Sequence, residues 1–171
     1  QGRMAFAGED FVRRYGAQQA GRTPPLKKML QLGIPVGLGT DGTRVASFNP
    51  WATYYWAVSG KTVGGYQLYS EDNVLDRLSA LQLFTAGSAY FSGEEQVKGQ
   101  IKAGMYADFA LLNQDILTVP EQQLLRTIAE LTVVDGKVRY ASKAHFPALH
   151  QAAEPALPAG LALLHGGHGG D

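Results

Sequence analysis

The stretch that decides the fold of this chain is Gly33-Ile34-Pro35-Val36-Gly37-Leu38-Gly39-Thr40-Asp41-Gly42. Residues 34–39 within it are apolar or glycine and short, which is typical of a strand buried on both faces of a parallel sheet. Pro35 has no N–H to donate to a ladder, so it belongs among the first residues of such a strand. The stretch therefore predicts a buried strand over 34–39, with Asp41 just beyond its C-terminal end.

Helical patterns flank this predicted strand on both sides. Thr23-Pro24-Pro25 opens one that ends at Gly33, and Asn49-Pro50 opens the next, with Asn49 as its cap. A helix, a strand and a helix joined by short connections favour a parallel α/β sheet. A complete (β/α)₈ barrel takes about 250 residues, whereas the chain has 171. We therefore predict the α/β fold class with an incomplete barrel.

The second half of the chain changes to a β-like pattern. Short apolar runs over 97–101 and 107–112 predict two strands with a turn between them. The dipeptide Asp135-Gly136 lies between two further β-rich runs, and both residue types tolerate the positive φ of a type I′ turn. We expect a hairpin with this dipeptide at its tip, paired with 107–112 in a small sheet.

Three segments follow from these patterns. We expect a partial barrel over 1–92, a small β-sandwich or sheet over 93–142, and a flexible tail rich in Ala, Pro, Gly and His over 143–171.

Composition limits the classes of partner. The 15 basic and 15 acidic side chains cancel, which argues against capture of nucleic acid or of an anionic membrane. The absence of cysteine excludes disulfides, thiolate metal sites and cysteine nucleophiles. No apolar run approaches the roughly 20 residues of a membrane helix, and no signal-peptide pattern opens the chain. We therefore expect a cytoplasmic protein with no nucleic-acid or membrane partner.

Asp41 is the leading candidate for chemistry. A carboxylate at the C-terminal end of a buried parallel strand lies where α/β barrels collect their catalytic groups. It could bind a divalent metal and accept a proton from water. An Asp-Gly pair is equally typical of a simple turn, and the residues by themselves leave both interpretations open.

Two further residues are candidates for substrate binding. Arg44 lies in the loop after Asp41 and could bind an anionic group, although a loop cation is more often only solvated. Trp51 begins an aromatic helix and could line an apolar pocket, with core packing as the alternative.

Histidine placement limits what the first segment can do. His145, His150, His165 and His168 all lie in the last segment, whereas a hydrolytic zinc site usually has about three protein ligands that include histidine. The first segment therefore lacks the ligands of a normal zinc site. His165 and His168 could chelate a metal, but a solvated tail fits their glycine-rich setting better.

Several stretches, taken in order, resemble the C-terminal part of the metal-dependent amidohydrolase superfamily. The run 33–42 looks like its last barrel strand, and 78–89 looks like the helix that follows. The runs 98–112 and 132–138 resemble its C-terminal sandwich, and 44–51 is most similar to the YtcJ-like, amidohydrolase-3 branch. The resemblance extends over about residues 3–142.

The resemblance implies the last strands and helices of a distorted barrel and a sandwich built from both chain ends. It implies hydrolysis of amide or other C–N bonds by metal-activated water, with a divalent cation, expected to be zinc. Asp41 would be a metal ligand and proton shuttle. The superfamily's other ligands, an early His-x-His pair, a lysine or carboxylate and two later histidines, have no counterpart here.

Two hypotheses follow for the function. In the first, the chain is the C-terminal piece of an amidohydrolase, is inactive alone and holds no metal by itself. In the second, it is a non-catalytic α/β scaffold that works by association. In either case the unpaired edges of a partial barrel predict self-association.

Overall fold

The computed structural model describes residues 2–42 and 46–153, with the backbone alone at 152 and 153. The helices within these ranges are α1 Gly2–Tyr15, α2 Ala17–Ala20, α3 Leu26–Gln31, α4 Pro50–Ser59, α5 Arg77–Phe84, α6 Ala86–Phe91 and α7 Pro147–Ala153. The strands are β1 Phe109–Leu112, β2 Ala129–Val134 and β3 Lys137–Ala141, and a 3₁₀ helix spans Glu121–Arg126.

Helix α4 is the centre of the main hydrophobic core. All of residues 52–59 are buried, as expected for a helix that is apolar around its whole circumference. It packs against α1, α5 and the 3₁₀ helix. Its start is the one that the sequence predicts, because the Asn49 Oδ1 accepts a hydrogen bond from the Trp51 amide at 2.9 Å. Gly60 ends it in the left-handed conformation, at φ 70°.

The small sheet has the order β1-β2-β3 and is antiparallel throughout. Val134 pairs with Lys137, so Asp135-Gly136 is the two-residue tip of the β2–β3 hairpin. The φ angles there are 53° and 68°, both positive as a type I′ turn requires. The predicted hairpin and its pairing with the strand that follows Asp108 are confirmed.

The predicted strand over 34–39 is wrong as a strand. The segment is extended, and Val36 and Leu38 are buried, but no residue in the described ranges pairs with it in a ladder. The Leu38 amide instead donates to the Leu83 carbonyl of α5 at 3.0 Å. A parallel strand needs neighbouring strands to satisfy its backbone groups, and the described residues supply none here.

The predicted strand over 97–101 is also wrong. The chain there forms turns and bends, and Gly99 has a φ of 95°, which is incompatible with a regular strand. The chain is thus a mixture of helices and sheet, but its sheet is antiparallel and lies in the second half. The partial barrel remains a prediction.

The first residues of the predicted tail are ordered by contacts with the sheet. Helix α7 packs against β3, and the Phe146 amide donates to the Ser142 carbonyl at 2.8 Å. His165 and His168 lie outside the described residues. Among the helices described, none is both long and apolar enough to cross a bilayer.

Candidate functional site

Asp41 lies directly after the extended segment 34–40, in the left-handed conformation at φ 51°. It is exposed. The turn is stabilised on one side by the Gly42 amide, which donates to the Thr40 Oγ1 at 3.2 Å. Gly42 then forms an isolated parallel bridge with Ala46. Gly42 and Ala46 therefore lie side by side, next to Asp41.

Side-chain hydrogen bonds replace strand pairing along the segment that leads to Asp41. The Ser88 Oγ lies 3.1 Å from the Leu38 carbonyl oxygen and 3.0 Å from the Leu83 carbonyl oxygen. The last turn of α5, the first turn of α6 and the extended segment therefore meet at one hydroxyl. No local sequence pattern marks Ser88, because its role comes from tertiary contacts alone.

The two predicted substrate-binding residues have different outcomes. Arg44 lies outside the described residues. Trp51 lies in the first turn of α4, half-buried against the core, and its ring meets that of Tyr54 edge-on with centroids 5.9 Å apart. This contact fits the core-packing alternative, and a role in substrate binding stays a prediction.

The donors in the described ranges do not fit a complete metal centre. No group of three or more His, Asp or Glu side chains there is close enough together to hold an ion. The carboxylate of Asp41 offers one ligand where a hydrolytic zinc site has about three from the protein. Any cation bound through Asp41 would need ligands from other residues.

A second polar cluster lies where the sheet meets α7. The Glu130 Oε2 is 2.9 Å from the His145 Nδ1, and the Ser142 Oγ is 3.4 Å from the same nitrogen. Hydrogen bonds from Ser142 and His145 hold the pKa of the Glu130 carboxyl below its ordinary value. A nucleophilic triad places serine and carboxylate on opposite ring nitrogens. Here both groups lie against the same nitrogen, Nδ1, so the arrangement does not fit a nucleophilic triad. The cluster instead links β2 to the chain that enters α7.

The buried tyrosines are not acid–base candidates. Tyr54 donates its hydroxyl proton to the Arg77 carbonyl at 2.9 Å, and burial raises its pKa to about 12. Burial also raises the pKa of Tyr69, whose hydroxyl donates to the Pro24 carbonyl at 3.0 Å. Both phenols therefore stay protonated near neutral pH and serve as links within the core.

Comparison of the sequence with known proteins identifies a family that matches the chain. A family model described as "Amidohydrolase family" matches residues 1–140. The chain is 33% identical over 140 residues to YtcJ of Bacillus subtilis (strain 168), a protein named as an amidohydrolase, covering 79% of the chain and 26% of that relative.

Two further relatives are similar over shorter stretches. An N-substituted formamide deformylase of Arthrobacter pascens is 29% identical over 116 residues, covering 68% of the chain and 21% of that relative. A 5-methylthioadenosine/S-adenosylhomocysteine deaminase of Desulforamulus reducens is 33% identical over 123 residues, covering 67% and 28%. The chain thus spans about a quarter of the length of the curated relatives it matches.

Proposed function

The chain belongs to the amidohydrolase family, and on that basis we propose that it is the C-terminal portion of a hydrolase that cleaves C–N bonds of small molecules. The observation that carries this proposal is the family match over residues 1–140. The names of the three relatives, an amidohydrolase, a deformylase and a deaminase, each denote cleavage of a C–N bond, which supports the reaction class.

We assign Asp41 the role of proton acceptor in that hydrolysis. Water adds its oxygen to the substrate carbon, and the carboxylate takes the proton that the water loses. The proton then passes to the nitrogen as the C–N bond breaks, so Asp41 ends the cycle ionised. Its exposed position after the extended segment leaves the carboxylate accessible to water and substrate.

The remaining assignments are narrower. Arg44 and Trp51, both of which follow Asp41 within ten residues of sequence, are our candidates for contacts with substrate. The family generally uses a divalent cation, which we propose to be zinc. The donors in the described ranges do not by themselves fit such a cation. We propose that the 171-residue chain alone has no turnover.

The test is hydrolysis measured on two preparations, with N-substituted formamides and simple amides as substrates and zinc present. One preparation is the chain alone, and the other is the product of the longest reading frame that includes it. We expect ammonia, amine or formate release from the second only. Turnover by the chain alone would contradict the predicted inactivity, and no turnover on either substrate class by the longer product would contradict the proposed reaction.

A second candidate function is association without catalysis. Large apolar side chains are exposed at several points between the helices and strands, among them Ile101 at 90%, Phe48 at 79% and Leu32 at 66%, and burying them would favour association. We propose that the chain by itself self-associates through them. Sedimentation velocity should show dimers or larger species, and a monomer at high protein concentration would contradict this.

A further inference from the structure

The extended segment before Asp41 lies next to helix α6, and we propose that Gly87 and Ser88 of that helix are positioning residues for Asp41. The inference rests on the proposed function, in which Asp41 is the proton acceptor. Without strand neighbours among the described residues, the segment has to be held in place by other contacts. Two of these contacts depend on the residue types at positions 87 and 88, glycine and serine.

The first contact is a close approach of backbones at Gly87. A Cβ added to Gly87 would lie 2.5 Å from the Val36 carbonyl oxygen and 3.5 Å from its carbonyl carbon. The opposite residue on the segment is also glycine, and a Cβ at Gly37 would lie 3.4 Å from the Gly87 carbonyl oxygen. Glycine without a side chain is what permits this approach. Any larger residue at 87 would push the segment away from α6.

The second contact is the hydroxyl of Ser88. Its single proton is within reach of two acceptors, the Leu38 carbonyl at 3.1 Å and the Leu83 carbonyl at 3.0 Å. The Leu83 carbonyl also accepts the Leu38 amide at 3.0 Å. Leu38 is therefore fixed through both its N–H and its C=O, three residues before Asp41.

The end of the segment near Asp41 is in close contact with helix α1, which leaves no free space there. A Cβ added to Gly2, at the start of α1, would collide with the Thr40 carbonyl and would lie 2.8 Å from the Thr53 Oγ1. The segment thus lies between α6 at Val36 and α1 at Thr40. Only a few residues separate these two contacts, and Asp41 directly follows the second, so both contacts bear on where Asp41 lies.

An ordinary helical role for Gly87 makes the opposite prediction. Alanine stabilises a helix interior relative to glycine by about 1 kcal/mol, so Gly87→Ala would strengthen α6 if the helix were all that mattered. A positioning role requires the same substitution to loosen the segment.

The experiment measures amide hydrogen exchange and backbone chemical shifts in the full 171-residue chain. We expect Gly87→Ala to shift the Asp41 amide resonance and to speed exchange at Leu38 roughly tenfold, the loss of about one hydrogen bond. Ser88→Ala should have a smaller effect of the same kind, and Ser88→Thr, which keeps the hydroxyl, should restore protection. The Gly60 amide, which donates to the Trp56 carbonyl in the core, should exchange as in the wild type.

The matched control is Gly39→Ala, in the same segment. A Cβ at Gly39 would have no neighbour within 4 Å and its φ is not in the left-handed region, so Leu38 and Asp41 should be unchanged. Wild-type exchange and shifts in both Gly87→Ala and Ser88→Ala would overturn the proposal. So would equal acceleration at Leu38 and Gly60, which would mean general destabilisation. If Gly87→Ala does not fold, the Ser88 pair decides.

Turnover of the longer protein separates this inference from the proposed function. Normal turnover in Asp41→Asn, together with a displaced Asp41 amide in Gly87→Ala, would remove the proposed function and keep the positioning contact. Lost turnover in Asp41→Asn with an undisturbed segment in both α6 variants would do the reverse. If both proposals hold, Gly87→Ala should lower kcat more than it changes KM.

Discussion

Two Asp-Gly pairs in this chain have almost the same local conformation and different surroundings. Asp41 and Asp135 have φ angles of 51° and 53° and are both exposed. Gly136 has a positive φ as well, and its amide donates to the Ala107 carbonyl at 3.3 Å. Gly42 donates its amide to the hydroxyl of the residue before Asp41, forms a single bridge with Ala46 and lies close against Phe48.

The difference lies in what each turn connects. Asp135-Gly136 joins two strands that pair with each other, so the turn completes a structure that is present in the chain. Asp41-Gly42 ends an extended segment with no strand partner among the residues described here. The sequence of such a dipeptide predicts its local backbone conformation. Its role depends on whether the segments next to it pair with other strands. We infer that an exposed carboxylate after a segment with no strand partner in the described ranges is the better candidate for chemistry.

The largest effect should separate the two aspartates by activity. In the longer protein, Asp41→Asn is expected to lower turnover on the order of 10²–10⁴-fold, the usual contribution of one positioned general base. Asp135→Asn makes the same change at the same φ and is the matched control. Its side chain is 3.6 Å from the exposed Lys137 ammonium, a surface pair that contributes little.

Turnover of the two variants and the wild type should be measured side by side, with circular dichroism to check folding. Equal turnover in the two variants would make Asp41 a turn residue like Asp135. The catalytic interpretation of the stretch 33–42 would then fail.

The next effect concerns the stability of the hairpin tip. Gly136→Val is expected to lower the free energy of unfolding by about 1–2 kcal/mol, because the left-handed conformation brings a Cβ too close to the following carbonyl. Gly136→Asn should cost less, since asparagine tolerates positive φ. Urea unfolding of the 171-residue chain measures both. Equal midpoints for the valine variant and the wild type would contradict the type I′ turn.

The sequence predictions are correct where a feature depends on residues close in sequence, and wrong where it depends on residues far away in sequence. Asn49 caps α4 and Asp135-Gly136 forms the hairpin because each depends on residues two or three positions away. Ser79, three residues before Gln82, has the capping-box spacing that predicts a helix start at Ala80. The Asp76 carboxylate, three residues earlier, instead accepts the Ser79 amide at 2.9 Å and caps a helix that starts at Arg77.

Longer-range features were beyond the local pattern. The apolar run 34–39 reads as a buried strand, yet its pairing depends on strands that the described residues do not include. The candidate site was predictable only in part for the same reason. The sequence indicates Asp41, whereas the contacts of Gly87 and Ser88 exist only once α6 lies against the segment.

A smaller effect tests how the hairpin tip is attached to the rest of the sheet. The Asp108 Oδ1 accepts the Asp135 amide at 2.7 Å, a bond that the Asp41 turn has no equivalent of among the residues described. Asp108→Ala should cost about 1 kcal/mol of unfolding free energy, the net value of one hydrogen bond. Asp108→Asn retains the Oδ1 acceptor and should cost less. Equal losses in both variants would show that charge, and not this bond, is what matters.

The smallest effect is a dependence on pH on the hairpin side of the comparison. Hydrogen bonds from Ser142 and His145 hold the pKa of Glu130 below its ordinary value. Because the folded pKa is the lower one, the stabilisation is complete above the unfolded pKa, about 4.3 for glutamate. It is lost as the pH falls through the folded pKa. Acidification through the folded pKa of Glu130 should therefore loosen the junction of β2 with α7.

Chemical shifts of the Ser142 and Leu38 amides, followed from pH 7 into the acid range, test this effect and show which region responds. The Ser142 amide donates to the Glu130 carbonyl at 2.7 Å, so it reports on the junction, and Leu38 reports on the other region. Glu130→Gln removes the titrating carboxyl and keeps an oxygen acceptor for His145. The acid transition at Ser142 should then disappear. If the acid transition at Ser142 persists in Glu130→Gln, another group causes it, and the prediction is wrong.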